Sequence, residues 1–267
     1  MIGLKIDIIF DLLYNINNKP KMQLRTRTIS PPQQYVSQKE HVVMFFDTET
    51  TGLIKKDNTK QVPHIIQLSY ILYDTNKRKM IERYNKYIKI PDSIHIEPES
   101  INVHGITRKI LENSDNVFIE EALCAFYHAY MKSSKIVGHN ILFDIQMIRT
   151  EIERNKDFIK QMGCKNPEWV FQTEYQENNN VKCICTMFNT KNFCDIKVES
   201  KRINKDGSKT IYQKYPKLSE LYYSIFKEYP NKLHDAFEDV KICMRCYLKL
   251  NKTIDFRSQE ITPKIVM

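Results

Sequence analysis

Asp47 and Glu49 stand two residues apart at the end of an apolar run, Val42-Val43-Met44-Phe45-Phe46. A β-branched and aromatic run of that length reads as a buried strand. Side chains alternate across a strand, so both acids face one side. Two carboxylates so placed repel each other and are costly to desolvate. A divalent cation resolves the conflict, because carboxylate oxygens suit Mg²⁺ and Mn²⁺. Two further segments carry acids and histidines at element boundaries. In Val137-Gly138-His139-Asn140-Ile141-Leu142-Phe143-Asp144 a short strand ends at Gly138, and Asp144 falls in the first turns of the next helix. In Leu233-His234-Asp235-Ala236-Phe237-Glu238-Asp239-Val240, His234 precedes a helix and Asp239 lies inside it. Strand ends and helix starts are where open α/β sheets place active sites.

The elements that must position these residues follow from periodicity. The spacing predicts a strand over 42–47, a polar loop over 54–63, and two long strands over 64–74 and 79–90. Thr75-Asn76-Lys77 between the last two suits a hairpin turn, so the sheet starts antiparallel. After Pro91 the pattern turns helical. Thr107 can cap a short helix, and Leu123, Phe126, Tyr127 and Tyr130 give helical spacing over 118–133. A strand over 135–138 follows, then a helix capped by Asn140 and running to about Arg154. Residues 155–182 are polar and carry no clear pattern. Residues 195–215 are basic and centre on a Lys205-Asp206-Gly207-Ser208 turn, which suits a hairpin. Helices are expected near 217–227 and 235–251. Strands first, then alternating strand and helix, give an α/β fold with a mixed central sheet flanked by helices. The expected organisation is a flexible or helical basic arm over 1–40, a single domain over 41–252 and a loose tail over 253–267.

Taken together, the motifs resemble those of the DnaQ-like (DEDDh) 3′–5′ exonuclease family. Asp47-Thr48-Glu49-Thr50-Thr51-Gly52 matches its first motif, Gly138-His139-Asn140 with Phe143-Asp144 its second, and His234 with Asp239 its third. Val103-His104-Gly105-Ile106-Thr107 is similar to the family's His-Gly-Ile segment. The resemblance spans 42–250 with all motifs in order. Asp235 stands where a tyrosine subclass would carry its tyrosine, so the histidine subclass fits better. The fold implied is RNase H-like, with a mixed central sheet whose first three strands are antiparallel.

The resemblance also implies roles. Two Mg²⁺ or Mn²⁺ ions would be held by Asp47, Glu49, Asp144 and Asp239, whose four charges balance theirs. Asp47 would bridge, Glu49 and Asp239 would complete the first position, and Asp144 would serve the second. His234 would be the general base; an ordinary histidine pKa of about 6.5 suits that task at neutral pH. The loop of Thr50, Gly52 and Leu53 would hold the terminal nucleotide, Leu53 acting as an apolar wedge. His104 and Asn140 would lie on the substrate side. The implied reaction releases nucleoside monophosphates from a single-stranded or 3′-ended nucleic acid, DNA in preference to RNA. Alternatives are a 3′–5′ exoribonuclease and a non-catalytic nucleic-acid-binding module on the same fold.

Bulk properties agree with a polyanionic partner. The 267-residue chain carries a net charge of +9, and its apolar fraction of 42% supplies a core. Seven cysteines without a disulfide-like spacing point to a reducing, intracellular setting. Cys243 and Cys246 read as neighbours on a helix face rather than as a zinc pair. No apolar run reaches the roughly 18 residues of a membrane helix, and Asp7 and Asp11 interrupt any leader-like start. Proofreading, if it is the role, would be done in trans beside a polymerase.

Overall fold

A computed structural model describes residues 41–55, 62–204 and 206–251. The expected N-terminal arm and C-terminal tail, and Lys205 of the basic turn, lie outside the described residues. β1 (Val42–Thr50), β2 (Ile65–Asp74) and β3 (Lys79–Tyr87) form an antiparallel meander. Three short helices follow: α1 (Pro98–His104), α2 (Arg108–Leu111) and the longer α3 (Ile119–Met131). β4 (Lys135–Gly138) then pairs parallel with β1, and α4 (Ile141–Gln161) leaves its end. After a 3₁₀ turn and α5 (Thr173–Asn178), β5 (Lys182–Cys185) pairs parallel with β4. The five-stranded sheet has the order β3-β2-β1-β4-β5. α6 (Thr186–Asn189) and α7 (Lys191–Cys194) lead to a separate hairpin, β6 (Lys197–Ile203) and β7 (Lys209–Gln213). α8 (Leu218–Phe226) and α9 (Ala236–Leu250) close the fold.

The two faces of β1 explain the layering. Val42, Met44 and Phe46 join a core with Leu68, Tyr70, Phe126, Tyr130 and Ile148, under α3 and α4. Val43 and Phe45 join a second core with Ile71, Leu221, Val240 and Tyr247, under α8 and α9. Phe45 meets Tyr247 edge-on at 5.5 Å, and Phe46 meets Phe126 at 5.2 Å. Cys243 and Cys246 are buried in the second core, as a shared helix face requires. The result is a three-layer α/β/α arrangement, with the mixed sheet and antiparallel first three strands that the sequence predicts.

Several local expectations need correction. β1 runs on to Thr50, because β2 pairs with it past the acids. α4 extends seven residues beyond Arg154, to Gln161; Ile159 near its end is fully buried. The unassigned stretch 155–182 holds the end of α4, a 3₁₀ turn and α5. Asn140 and Thr107 occupy helix N-cap positions, but neither side chain makes a capping hydrogen bond. Asn140 instead supplies a left-handed backbone, φ 63°, which Asn tolerates better than most residues.

Candidate active site

Asp47 and Glu49 continue the face of Val43 and Phe45, so they point toward the layer that contains α9. α9 brings Asp239 to them. Ligand oxygens of Asp47, Glu49 and Asp239 all lie within 4.8 Å of one another, the one such group among the described residues. Asp144 arrives from the opposite layer, at the start of α4. β4 pairs with β1 only as far as Phe45, so the β1 backbone beyond it has no strand neighbour on that side. Asp144 fills that place: its Oδ1 accepts from the Thr48 backbone N–H at 3.0 Å and from the Thr48 hydroxyl at 2.6 Å. Gly138 makes the approach feasible, since a Cβ there would sit 2.9 Å from the Ile141 side chain. Thus two layers deliver carboxylates to the end of one strand.

A polar band across the sheet fixes α9. Glu49 is in register with Gln67, and Asp47 with Ser69. Gln67 and Ser69 are in turn opposite Tyr87 and Asn85 on β3. Gln67 is fully buried. Its amide donates to Asn85 Oδ1 and to Asp235 Oδ2, each at 3.0 Å, and its carbonyl accepts from the Ala236 N–H at 3.2 Å. Asp235 Oδ1 caps the helix, accepting from the N–H groups of Phe237 and Glu238. Sequence reasoning missed Gln67, Thr48 and this use of Asp235. The available signal was a glutamine inside an otherwise apolar strand, which must find partners when buried.

His234 sits one residue before that cap in a left-handed backbone, φ 66°. Its N–H donates to Asp239 Oδ2 at 3.2 Å. The residue is exposed at the surface, and partial burial of the ring, followed by the Lys217 charge, holds its pKa below the usual value. The imidazole is therefore neutral near pH 7. His104 lies across the same site. Its Nδ1 accepts from the Ile106 N–H at 2.9 Å, so Nε2 carries the proton and donates to the Thr50 carbonyl at 3.3 Å. The Thr50 hydroxyl donates to the Gly52 carbonyl at 2.7 Å, and Glu97 packs against Gly52 so closely that a Cβ would lie 2.7 Å from its carboxyl carbon. Lys55 pairs with Glu97 at 2.7 Å. Leu53, 36% exposed, tops this loop. His139 belongs elsewhere. It is fully engaged by Thr186 Oγ1 at 2.9 Å and the Pro216 carbonyl at 3.1 Å, and burial pushes its pKa down to about 4.

The electrostatics call for positive charge. Burial, then Asp144, Asp239, Glu49 and Asp235, hold the Asp47 pKa far above the ordinary carboxylate range. Burial and the neighbouring acids push Glu49 up to about 8. Burial raises Asp144 to about 7 against the bonds from Thr48, and raises Asp239 to about 7 against the bond from His234. Asp239 Oδ1 is buried with no hydrogen-bond partner among the described residues. An orphaned carboxylate oxygen facing two other acids fits a divalent cation.

A pH dependence follows. Carboxyls whose folded-state pKa exceeds the unfolded value hold protons more tightly when folded. Their contribution to stability is complete below about pH 4 and is lost as pH rises through about 7 to 8. A bound divalent cation removes the repulsion. Melting in chelator and in Mg²⁺ or Mn²⁺ should therefore show a larger cation-induced rise in Tm at pH 8 than at pH 5. A larger rise at pH 5 would discard the cation reading.

A three-layer α/β fold with buried Asp144 and half-buried Asp47, Glu49 and Asp239 gathered at the end of its first strand has the RNase H-like architecture. Solved structures agree on the fold. Exonuclease I of E. coli in complex with a dA16 oligonucleotide superposes with a TM-score of 0.52 at 20% identity, over 82% of this chain and 42% of that one. A 3′-exonuclease described in recognition of the histone mRNA stem-loop gives 0.51 at 12% identity, over 82% and 66%. The chain belongs to the RNase_T exonuclease family, whose pattern matches residues 44–247. The DNA polymerase III subunit epsilon of Buchnera aphidicola is 32% identical over 114 residues, 41% of this chain and 44% of that protein. The match thus spans less than half of that relative.

Proposed function

We propose that residues 41–252 form a metal-dependent 3′–5′ exonuclease that releases nucleoside monophosphates, with DNA preferred over RNA. The observation that carries this is the convergence of Asp47, Glu49 and Asp239, with an unpartnered buried oxygen on Asp239. Asp47, Glu49 and Asp239 would hold one Mg²⁺ or Mn²⁺, and Asp144 would help to hold a second. When bound, such ions would supply activation of the attacking water and stabilisation of the leaving 3′-oxygen. His234, exposed and with its pKa held below the usual value, would accept the proton of the attacking water. The attack on phosphorus runs in line with the P–O3′ bond, which breaks to leave a 3′-hydroxyl on the shortened strand and a 5′-phosphate on the released nucleotide. Thr50, Gly52 and Leu53 form the seat of the terminal nucleotide, with His104 bracing the Thr50 carbonyl. Asn140, at the start of the helix bearing Asp144, is assigned to the substrate side. The preference for DNA leans on the relatives that are DNA polymerase subunits and on the exonuclease I complexes with dA16 and dT13. It also suggests a polymerase as a partner in trans.

The test uses matched 5′-labelled single-stranded DNA and RNA oligonucleotides. A ladder of 3′-shortened products is expected with Mg²⁺ or Mn²⁺ and none with EDTA, at a higher kcat/KM for DNA. A higher value for RNA would make the chain an exoribonuclease. Tight binding without shortening would make it a binding module.

A further inference from the structure

The β6–β7 hairpin is not part of the central sheet. Among the described residues each strand has only the other as its partner, and an isolated two-stranded hairpin is marginal in water. It is also exposed nearly throughout: Ile203 is 63% and Ile211 65% open, and Tyr212 is 43% open. Its strands carry Lys197, Lys201, Arg202 and Lys209 against a single acid, Glu199. Lys197 leans on Asp195 and Lys209 on Glu199, whereas Lys201 and Arg202 have no ion pair among the described residues. A register shift between Glu199 and Ile203 places both cations where the ladder with β7 is irregular.

The root of this arm is anchored on the body of the domain, in part on the segment that leads into the helix of Asp144. Lys214 N–H donates to the Ile196 carbonyl at 2.9 Å, closing the hairpin base. Gln213 ties it to the Lys191 carbonyl and to Asp195. Tyr215 stacks on Phe188 at 5.8 Å and lies under the Lys191 ammonium at 4.5 Å. The Pro216 carbonyl accepts from His139, which directly follows β4 and precedes the helix of Asp144. The next residue, Lys217, is the charge that His234 senses.

We propose that this hairpin is a second nucleic-acid contact, in which Lys201 and Arg202 take the phosphates of a single strand upstream of its terminal nucleotide. Tyr212 offers an open ring for a base. The inference rests on the proposed exonuclease reading, and charge complementarity selects nucleic acid over a protein partner. The arm lengthens the grip on the substrate and leaves the chemistry to the carboxylate site.

The test compares the full-length protein with K201A/R202A. Anisotropy of a 20-nucleotide single-stranded DNA in EDTA should show about tenfold weaker binding, and the slope of log K against log[salt] should shrink by about 1.4, at about 0.7 per cation for single strands. Hydrolysis of a dinucleotide in Mg²⁺, which is too short to reach the arm, should stay within about twofold, which also confirms folding. Unchanged affinity and slope would overturn the proposal. So would a loss of self-association on sizing with unchanged DNA binding, which would make the arm a protein interface. If the wild-type chain binds in the Lys201- and Arg202-dependent way yet cleaves nothing, the exonuclease reading fails and the contact stands.

Discussion

Asp47→Asn should abolish turnover, by on the order of 10⁴-fold or more, and at the same time raise the Tm of the metal-free protein. The loss of activity follows from removing the central carboxylate of the cluster, which acts as a unit with its neighbours. The gain in stability follows from electrostatics. Asp47 is desolvated and repelled by Asp144, Asp239, Glu49 and Asp235, in that order. Asparagine keeps the shape and drops the charge, so the repulsion goes while the packing stays. The variant should also lose most of the Mg²⁺-induced rise in Tm. Single-turnover shortening of a 5′-labelled strand, with melting in EDTA and in Mg²⁺, reads all three effects. A variant with a tenth of wild-type activity, or with a lower Tm in EDTA, would remove Asp47 from the centre of the site.

His234→Ala should lower kcat by about 10²–10⁴-fold, the range for a positioned general base. It should leave the Mg²⁺-induced rise in Tm intact, because His234 offers the acids only its backbone N–H. Alanine keeps that N–H. The wild-type rate should climb with pH through a limb below the ordinary histidine value, since burial and Lys217 depress the pKa. In the variant that limb should vanish. His234→Gly separates chemistry from folding: glycine accepts φ 66° without the strain a side chain brings. It should melt no lower than the alanine variant and be as inactive. Wild-type turnover in either variant would transfer the base role elsewhere.

Much of the site was legible because period two is a local property. Asp47 and Glu49 had to share a face once 42–46 was a strand, and the opposite face had to carry Thr48. The helix starts at Ile141 and Ala236 were legible from the apolar spacing that follows them. The strand over 182–185 was not. Four residues ending in Cys185 carry too little pattern, and its strand character comes from pairing with β4. Asn140 was misread as a side-chain cap, because the sequence cannot distinguish a capping amide from a left-handed backbone.

The amino-acid order alone marked the residues proposed to do chemistry here, namely Asp47, Glu49, Asp144, His234 and Asp239, and an acidic set that suits a divalent cation. It determined too that a basic hairpin interrupts the late part of the chain. Only the tertiary structure decided how these meet. Burying Val43 and Phe45 against α9 turns the acids of β1 toward Asp239. Ending β4 early leaves a backbone N–H that Asp144 must satisfy. Gln67 locks the helix start to the sheet, and with it the His234 backbone and Asp239. These are long-range demands of packing and hydrogen bonding, satisfied between residues up to 169 positions apart, and no local pattern encodes them.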